Sequence, residues 1–227
     1  MRAKAALKIA LTRVGSICSE RVVYGLNAAL NYVEVGWWVR ANRFTPRIRV
    51  ASRERVFDAI AKDIGEQPVL YVEFGVGKGS SMRYWSKLLK HPDSLLHGFD
   101  SFEGLPTKWT YGKPAGLFST GGEMPAIGDP RVRFFKGLFH ETLPTYEWPE
   151  REVLVVNVDA DLYSSVTVAL QHVRDHLRVG SYLYFDEFNY RADELRAFDE
   201  FLRANTMQFE MVAATHDLTS VAFCRSF

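Results

Sequence analysis

Two pairs of acidic residues follow apolar runs that are typical of buried strands. Asp159 and Asp161 come directly after the run VLVVNV. Asp186 and Glu187 come directly after the run YLYF. The carboxyl ends of adjacent parallel strands meet at one edge of a sheet, so these carboxylates are expected to lie close together. Crowded carboxylates repel one another unless a cation joins them or one is protonated. Such oxygen ligands suit Mg²⁺, and solvated or hydrogen-bonded carboxylates are the alternative.

A glycine-rich turn follows an earlier apolar run, VLYVEF. The turn begins at Glu73 and contains Gly75, Gly77 and Gly79, with Ser80 after them. Glycines at this place let the backbone turn tightly and approach a ligand at the end of a strand. The spacing departs from the dinucleotide pattern GxGxxG, because Ser80 stands where the third glycine is expected. A carboxylate at Glu73 attracts an ammonium group and repels a pyrophosphate, which favours a cofactor that carries an amino acid over NAD. An ordinary strand–helix turn remains the alternative.

A further acid, Asp100, ends the next apolar run. It lies one half-unit of a βαβ motif beyond the glycines, where a carboxylate can accept both ribose hydroxyls of a nucleoside. The alternative is a cap for a turn or a helix. Together with the glycine turn, Asp100 predicts a pocket for a ligand that joins adenosine to an amino acid.

The elements that position these residues alternate along the chain. Short apolar runs predict strands, and apolar residues at i, i+3 and i+4 predict helices. The predicted strands are 69–74, 95–99, 132–135, 153–158, 182–185, 209–213 and 220–224. The predicted helices lie near 57–64, 82–89, 166–177 and 195–202. This alternation predicts an α/β fold with a doubly wound, mostly parallel sheet and an antiparallel last strand.

The stretch 107–130 has no periodicity, and loops of that length are usually functional. Trp109, Tyr111, Lys113 and Phe118 within it are candidate substrate contacts. An exposed loop with incidental aromatic residues is the alternative.

Residues 1–50 differ from the rest of the chain in charge. They hold nine Lys or Arg and two acids, a net charge of +7, whereas residues 51–227 carry −6. Apolar spacing predicts helices over 1–42, so we expect a basic helical arm at 1–50 and one catalytic domain at 51–227. The arm is interpreted as a helical pair that packs on the body or on a second subunit, with a membrane-surface or substrate-covering element as the alternative.

Bulk composition excludes several classes of protein. A net charge of +1 gives no global attraction to nucleic acid. No apolar stretch approaches the length of a membrane span, and Lys8 and Arg13 interrupt the run that a signal peptide would need. Cys18 and Cys224 have no metal-binding spacing. We therefore expect a cytoplasmic protein whose partner is a small molecule, and a homo-oligomer is compatible with the sequence.

Five motifs make the sequence resemble a known family. They are VEFGVGKGSS (72–81), HGFDSFEGLP (97–106), RVRFFKGLFHETLP (131–144), VDADLYSS (158–165) and YFDEF (184–188). In this order they resemble class I S-adenosylmethionine methyltransferases, and more narrowly the macrocin O-methyltransferase-like family. The resemblance covers roughly residues 50–227. It implies a Rossmann-like methyltransferase fold and transfer of a methyl group to a hydroxyl of a sugar or another small-molecule natural product.

The resemblance also implies roles for individual residues. Glu73, the three glycines and Ser80 would hold the methionine part of the cofactor, and Asp100 with Ser101 the ribose. Gly137, Leu138 and Phe139 would lie near the adenine. Asp161 would be the catalytic base, and Asp159 would lie beside the cofactor. Mg²⁺ would be held by Asp159, Asp186 and Glu187, although metal-dependent relatives often carry two aspartates where this chain has Asp186 and Glu187.

Two other functions remain open from the sequence. One is a scaffold protein that binds S-adenosylmethionine without catalysis, against which the four acids at the strand ends count. The other is an NAD-dependent oxidoreductase, against which the missing third glycine counts.

Overall fold

The computed structural model describes residues 2–109 and 112–227. Seven α-helices within those residues are α1 (Arg2–Ile17), α2 (Glu20–Ala41), α3 (Arg53–Ile64), α4 (Ser80–Leu88), α5 (Phe139–Thr142), α6 (Tyr163–Val173) and α7 (Glu194–Ala204). Eight strands are β1 (Ile48–Val50), β2 (Val69–Phe74), β3 (Leu95–Asp100), β4 (Val132–Lys136), β5 (Val153–Val158), β6 (Tyr182–Phe185), β7 (Phe209–Thr215) and β8 (Val221–Arg225). Short 3₁₀ turns follow α5 and α6. Every strand predicted from the sequence is present.

The strands form one sheet in the order β1-β7-β8-β6-β5-β2-β3-β4. β8 runs antiparallel to both of its neighbours, and the other pairs are parallel. The predicted doubly wound, mostly parallel α/β sheet with an antiparallel last strand is therefore confirmed. The chain leaves β2 toward β3 on one side and continues through β5 toward β6 on the other. This reversal between β2 and β5 is the place where such sheets bind ligands.

The central strands are buried because helices cover both faces of the sheet. All six residues of β2 and of β5 are buried, as their unbroken apolar runs predict. α3 and α4 pack on one face around Phe57 and Trp85. α6, α7 and the end of α2 pack on the other face around Leu170 and Phe198. The sheet is held rigidly, so its strand ends can position side chains.

Strand β1 was not expected from the sequence. It has three residues, two of them exposed, and pairs in parallel with β7 at the edge of the sheet. Three residues are too few to show a periodicity, and the strand forms because β7 offers a free edge.

The N-terminal residues form two helices, as expected, with the break at Cys18 and Ser19. From Ala3 onward the described side chains of α1 are exposed, whereas Trp38 near the end of α2 is buried. Trp38 donates a hydrogen bond from Nε1 to Asp199 Oδ1 at 2.8 Å and stacks on Phe44. No helix in the described part of the chain is long and apolar enough to cross a membrane.

Candidate functional site

A cavity of about 770 Å³ opens at the carboxyl ends of β2, β3, β5 and β6. Its volume lies in the range of small-molecule and cofactor sites. Eleven of the residues predicted from the sequence line it, namely Gly75, Gly77, Asp100, Ser101, Gly137, Leu138, Phe139, Asp159, Asp161, Asp186 and Glu187. The sheet thus brings together residues that are far apart in the sequence.

The glycine turn lies against the end of β5. A Cβ atom on Gly75 would lie 1.7 Å from the carbonyl oxygen of Asp159, and the residue has φ +89°. Another side chain at this place would therefore push β2 and β5 apart. The Gly75 N–H donates to the carbonyl of Phe99 at 3.0 Å, which ties the turn to β3 as well. The backbone of this turn forms one wall of the cavity.

Asp100 holds the glycine turn in place. Its Oδ2 accepts hydrogen bonds from the amides of Val76 at 2.8 Å and Gly77 at 2.7 Å. Its Oδ1 accepts from the amide of Phe102 at 2.7 Å. Because an ionised carboxylate can accept about four hydrogen bonds, it keeps acceptor capacity toward the cavity. The capping role that the sequence left open and a ribose contact are therefore compatible.

Glu73 lies behind the glycine turn and does not line the cavity. Its side chain is buried and accepts a hydrogen bond from the Tyr71 hydroxyl at 2.9 Å. The Tyr71 hydroxyl in turn accepts a hydrogen bond from the Asn157 side-chain amide. Burial raises the pKa of Glu73 to about 8, so the side chain is largely protonated at neutral pH. Glu73 therefore belongs to a buried hydrogen-bonded group that joins β2 to β5.

Gly79 and Ser80 also lie outside the cavity wall. Gly79 precedes α4 with φ +75°, and a Cβ atom there would lie 2.9 Å from Pro125 of the long loop. Ser80 is the first residue of α4 and is exposed. These two residues connect the glycine turn to α4 and lie next to the long loop.

The segment that comes after β4 in the chain forms another wall of the cavity. Gly137, at φ +147°, turns the chain after this strand, and its N–H donates to the carbonyl of Asp100 at 3.0 Å. Leu138 and Phe139 follow as half-buried apolar residues, and the Phe139 ring packs edge-on against Phe74. An apolar wall next to Asp100 suits the face of an aromatic base.

Asp161 also lines the cavity, and its backbone conformation is strained. Its φ is +56°, in the left-handed region that aspartate tolerates better than most residues. Burial, together with the nearby charges of Asp186 and Asp193, raises its pKa to about 7 against the opposing effect of Lys113. Among the described residues, none donates a hydrogen bond to its carboxylate. Asp161 is therefore a partly buried base with free acceptor positions.

Asp159 and Asp186 lie beside a cation that the sequence did not reveal. The Nη1 atom of Arg53 lies 3.0 Å from Asp186 Oδ2 and 3.9 Å from Asp159 Oδ2. Burial alone would lower the pKa of Arg53, but Asp186 and Asp159 raise it overall, so the guanidinium stays charged. Burial and repulsion by Asp186 raise the pKa of Asp159.

Glu187 has different neighbours. Its Oε2 is buried and has no hydrogen-bond partner within the described residues. Burial, followed by repulsion from Asp161, raises its pKa to about 8. Across residues 2–109 and 112–227, no three His, Cys, Asp or Glu side chains are arranged so that they could hold a metal ion. As arranged here, the three residues expected to bind Mg²⁺ do not form a metal site.

The long loop after β3 covers the cavity. Trp109 is buried, and its Nε1 donates to Asp193 Oδ2 at 2.9 Å. The Lys113 ammonium lies 3.7 Å from the centre of the Trp109 ring. Phe118 lines the cavity, whereas Tyr111 lies outside the described residues. The loop is thus packed on the protein near the acids.

Sequence reasoning missed Arg53, Ser164 and Ser165, which also line the cavity. The two serines belong to the motif VDADLYSS, but no role was assigned to them. Arg53 carried one weak signal, because a cation in the first turn of a helix opposes the helix dipole. An unfavourable charge at such a place indicates that the side chain has a partner elsewhere.

The comparison with protein families confirms the resemblance over part of the chain. Residues 124–225 match the macrocin-O-methyltransferase (TylF) family. Three of the five motifs lie within the match, and the two that contain the glycine turn and Asp100 lie before it. A curated relative from Streptomyces olivaceus, the 8-demethyl-8-(2,3-dimethoxy-alpha-L-rhamnosyl)-tetracenomycin-C 4'-O-methyltransferase, is 28% identical over 137 residues. The match covers 52% of each protein, so the chain spans about half the length of the curated relative.

Solved structures confirm the fold. The calicheamicin methyltransferase CalS11 superposes with a TM-score of 0.60 and 22% identity, covering 76% of this chain and 77% of that protein. The O-methyltransferase NovP superposes with a TM-score of 0.57 and 22% identity, covering 77% and 80%. The protein therefore has the Rossmann-like fold of class I methyltransferases.

Proposed function

We propose that this chain is an S-adenosylmethionine-dependent O-methyltransferase that acts on a hydroxyl of a sugar-bearing small molecule. The observation that carries the proposal is the arrangement of one cavity at the switch point of the sheet. Its lining includes a glycine turn braced by Asp100 and the carboxylate of Asp161, to which none of the described residues donates a hydrogen bond.

The residues around the glycine turn and Asp100 fit the cofactor. Gly75 and Gly77 expose backbone to the cavity, where the amino-acid part would lie. Asp100 and Ser101 would take the ribose hydroxyls, and Leu138 and Phe139 the adenine. Glu73 would act from behind the turn, without touching the cofactor. When bound, S-adenosylmethionine supplies an electrophilic methyl group on a sulfonium.

Asp161 has the properties of a general base for the acceptor. A hydroxyl must lose its proton as its oxygen takes the methyl group, and a neutral sugar hydroxyl is a poor nucleophile. A carboxylate with a pKa of about 7 is a stronger base than an ordinary aspartate and is still partly ionised at neutral pH. The Asp161 carboxylate would orient the hydroxyl and accept its proton.

The substrate class is supported by what the relatives act on. The Streptomyces olivaceus relative is named for methylation of a rhamnosyl group on tetracenomycin C. One structure of CalS11 describes that enzyme as a TDP-rhamnose 3'-O-methyltransferase. A deoxysugar, either as a sugar nucleotide or attached to a natural product, is therefore the first acceptor to test.

The expected assistance by Mg²⁺ remains a prediction without a formed site. Asp159, Asp186 and Glu187 would have to rearrange and release Arg53 before they could share one ion. A scaffold without catalysis and an NAD-dependent oxidoreductase remain the other candidate functions, and neither accounts for an unpaired, basic Asp161 facing the cavity.

The proposal is tested by transfer of radiolabelled methyl from S-adenosylmethionine. The acceptors are TDP-rhamnose and a rhamnosylated tetracenomycin, with NADH oxidation followed in parallel. Label in the sugar ring hydroxyls supports the proposal. Binding of S-adenosylmethionine without transfer to either acceptor would favour the scaffold, and NADH turnover would favour the oxidoreductase.

A further inference from the structure

Arg53 lies beside the acidic residues that follow β5 and β6. It is the first residue of α3, it lines the cavity, and its side chain is about one-third exposed at 32%. Its Nη1 atom lies within 4 Å of carboxylate oxygens from two adjacent strands, Asp186 after β6 and Asp159 after β5. A guanidinium stays charged at every pH that a protein experiences, so this positive charge is permanent.

Both oxygens of the Asp186 carboxylate already accept hydrogen bonds. Its Oδ2 accepts the hydrogen bond from Arg53 at 3.0 Å. Its Oδ1 accepts one from the Tyr184 hydroxyl and a longer one from Ser220 Oγ at 3.4 Å. A metal ion at Asp186 would compete with these donors, and its positive charge would be repelled by the Arg53 guanidinium. The surroundings of Asp186 therefore suit an ion pair with a guanidinium.

Glu187, the third residue expected at a metal site, is not among the ion-pair partners of Arg53. The Glu187 amide donates to Glu194 Oε2 at 3.0 Å, and the charges that affect the pKa of its carboxyl most are those of Asp161 and Lys113. Mg²⁺ demands near-octahedral oxygen ligands at about 2.0–2.1 Å, which a guanidinium between two of the carboxylates prevents. Asp159 and Asp186 therefore cannot bind one Mg²⁺ ion together while the Arg53 guanidinium lies between them.

We propose that Arg53 is the resident cation of this acid cluster and replaces a divalent metal ion in the proposed methyl transfer. The inference rests on the proposed function and deepens it. Arg53 acts as a positioning residue: it pairs with Asp186 and lies close to Asp159, and it leaves Asp161 free to take the acceptor proton. Its removal unmasks carboxylates that a divalent ion can then bind.

The first test measures metal binding and needs no acceptor. Mn²⁺ is titrated into the protein, and the free ion is followed by electron paramagnetic resonance. The wild-type protein is expected to leave the free Mn²⁺ signal unchanged at equimolar concentration. Arg53→Ala is expected to remove free Mn²⁺, and Arg53→Ala combined with Asp186→Asn to lose that binding again. Arg55→Ala is the matched control, because Arg55 lies on the same helix, is exposed and pairs with Asp58.

Wild-type protein that binds Mn²⁺, with the binding lost in Asp186→Asn, would overturn the proposal. If Arg53→Ala does not fold, the wild-type titration alone decides between the two outcomes. This test stands apart from the proposed function, because it gives an answer even if no acceptor is methylated.

The second test uses turnover with the acceptors named above. Wild-type rate is expected to stay within about twofold in EDTA. Arg53→Ala is expected to lose about 100-fold, the effect typical of removing one preorganised electrostatic group, and to regain part of it in Mg²⁺. Arg53→Lys, which keeps the charge, is expected to remain insensitive to EDTA. Wild-type activity that vanishes in EDTA and returns with Mg²⁺ would contradict the proposal.

Discussion

Four aspartates at neighbouring strand ends have different chemistry because they have different partners. Asp100 accepts backbone amides, and Asp186 accepts a guanidinium and a tyrosine hydroxyl. Asp159 shares the guanidinium at a longer distance, and Asp161 has no hydrogen-bond donor among the described residues. The same side chain therefore serves as a brace, as an ion-pair partner and as a candidate base.

Replacing Asp100 tests the cofactor end of the cavity. Asp100→Ala is expected to weaken binding of S-adenosylhomocysteine by about 1–3 kcal/mol, because it removes acceptors for the ribose and also frees the amides of Val76 and Gly77. Isothermal titration calorimetry measures the change. Glu103→Ala, an exposed neighbour whose ion pair with Lys136 spans 3.7 Å, is the control. Equal affinity in Asp100→Ala and wild type would remove Asp100 from the cofactor site.

Replacing Asp161 tests the acceptor end. Asp161→Asn keeps the size of the side chain and removes its basicity, so kcat is expected to fall about 10²- to 10⁴-fold while cofactor affinity stays unchanged. Steady-state kinetics and calorimetry on the same preparation separate the two quantities. A variant with wild-type kcat would show that another group accepts the proton.

For individual residues, the sequence predicted the features that depend on neighbours along the chain. The glycine turn and Asp100 could be predicted because strand, turn and acid follow one another along the chain. The side-chain direction of Glu73 could not, since burial against Tyr71 and Asn157 depends on how β2 packs. Arg53 could not be predicted as a site residue, because its partner Asp186 lies 133 positions away.

Among the elements, α2 is divided between two environments. Its first half exposes apolar side chains such as Leu26 and Leu30, and its last turns enter the main core through Val35 and Trp38. Its start lies close to the long loop, where a Cβ atom on Gly112 would be 3.7 Å from Glu20 Oε1. The interpretation that the arm covers the substrate side or contacts a second subunit stays a prediction, and so does the boundary at residue 50.

Two adjacent tryptophans of α2 give a matched test of this division. Trp38→Ala is expected to lower the free energy of unfolding by about 3–5 kcal/mol, since it removes a buried ring and its hydrogen bond to Asp199. Trp37, at 57% exposure, should change it by less than about 0.5 kcal/mol when replaced by Ala. Urea unfolding followed by circular dichroism measures both. Similar losses in the two variants would contradict the packing of α2.

Element prediction succeeded where a run of apolar residues was long enough to show its period. The buried strands β2 and β5 and the helices α3, α4, α6 and α7 were found in this way, whereas the four-residue helix α5 was not predicted. β1 was missed because its partner, β7, lies near the other end of the chain. The described residues of the long loop form no α-helix and no strand, as predicted. The burial of Trp109 depends on Asp193 and was not predictable.

For the whole molecule, acid sensitivity should depend on a buried histidine. His97 on β3 contacts the Tyr146 hydroxyl at 2.5 Å, and burial, with Arg133 and Arg151 nearby, lowers its pKa to about 4. The unfolded chain binds this proton near pH 6.5, so between about pH 6.5 and 4 it holds more protons than the folded chain. Stability from His97 is therefore present above pH 6.5 and lost as the pH falls toward 4.

The prediction is that His97→Gln makes stability less dependent on pH in this window. Urea midpoints at several values between pH 4 and 7 give the slope for each protein. His216→Gln, which alters an exposed histidine, should keep the wild-type slope. Identical slopes in all three proteins would mean that other groups, chiefly carboxylates, determine the acid sensitivity.

The most direct test of the whole account is a crystal structure with S-adenosylhomocysteine, grown in the presence of Mg²⁺. We expect the ribose hydroxyls on Asp100, the adenine beside Leu138 and Phe139, and the sulfur directed toward Asp161. We also expect Arg53 between Asp159 and Asp186, with no metal between them. A cofactor bound elsewhere would contradict the proposed function, and a metal ion in the place of the Arg53 guanidinium would contradict the role inferred for that residue.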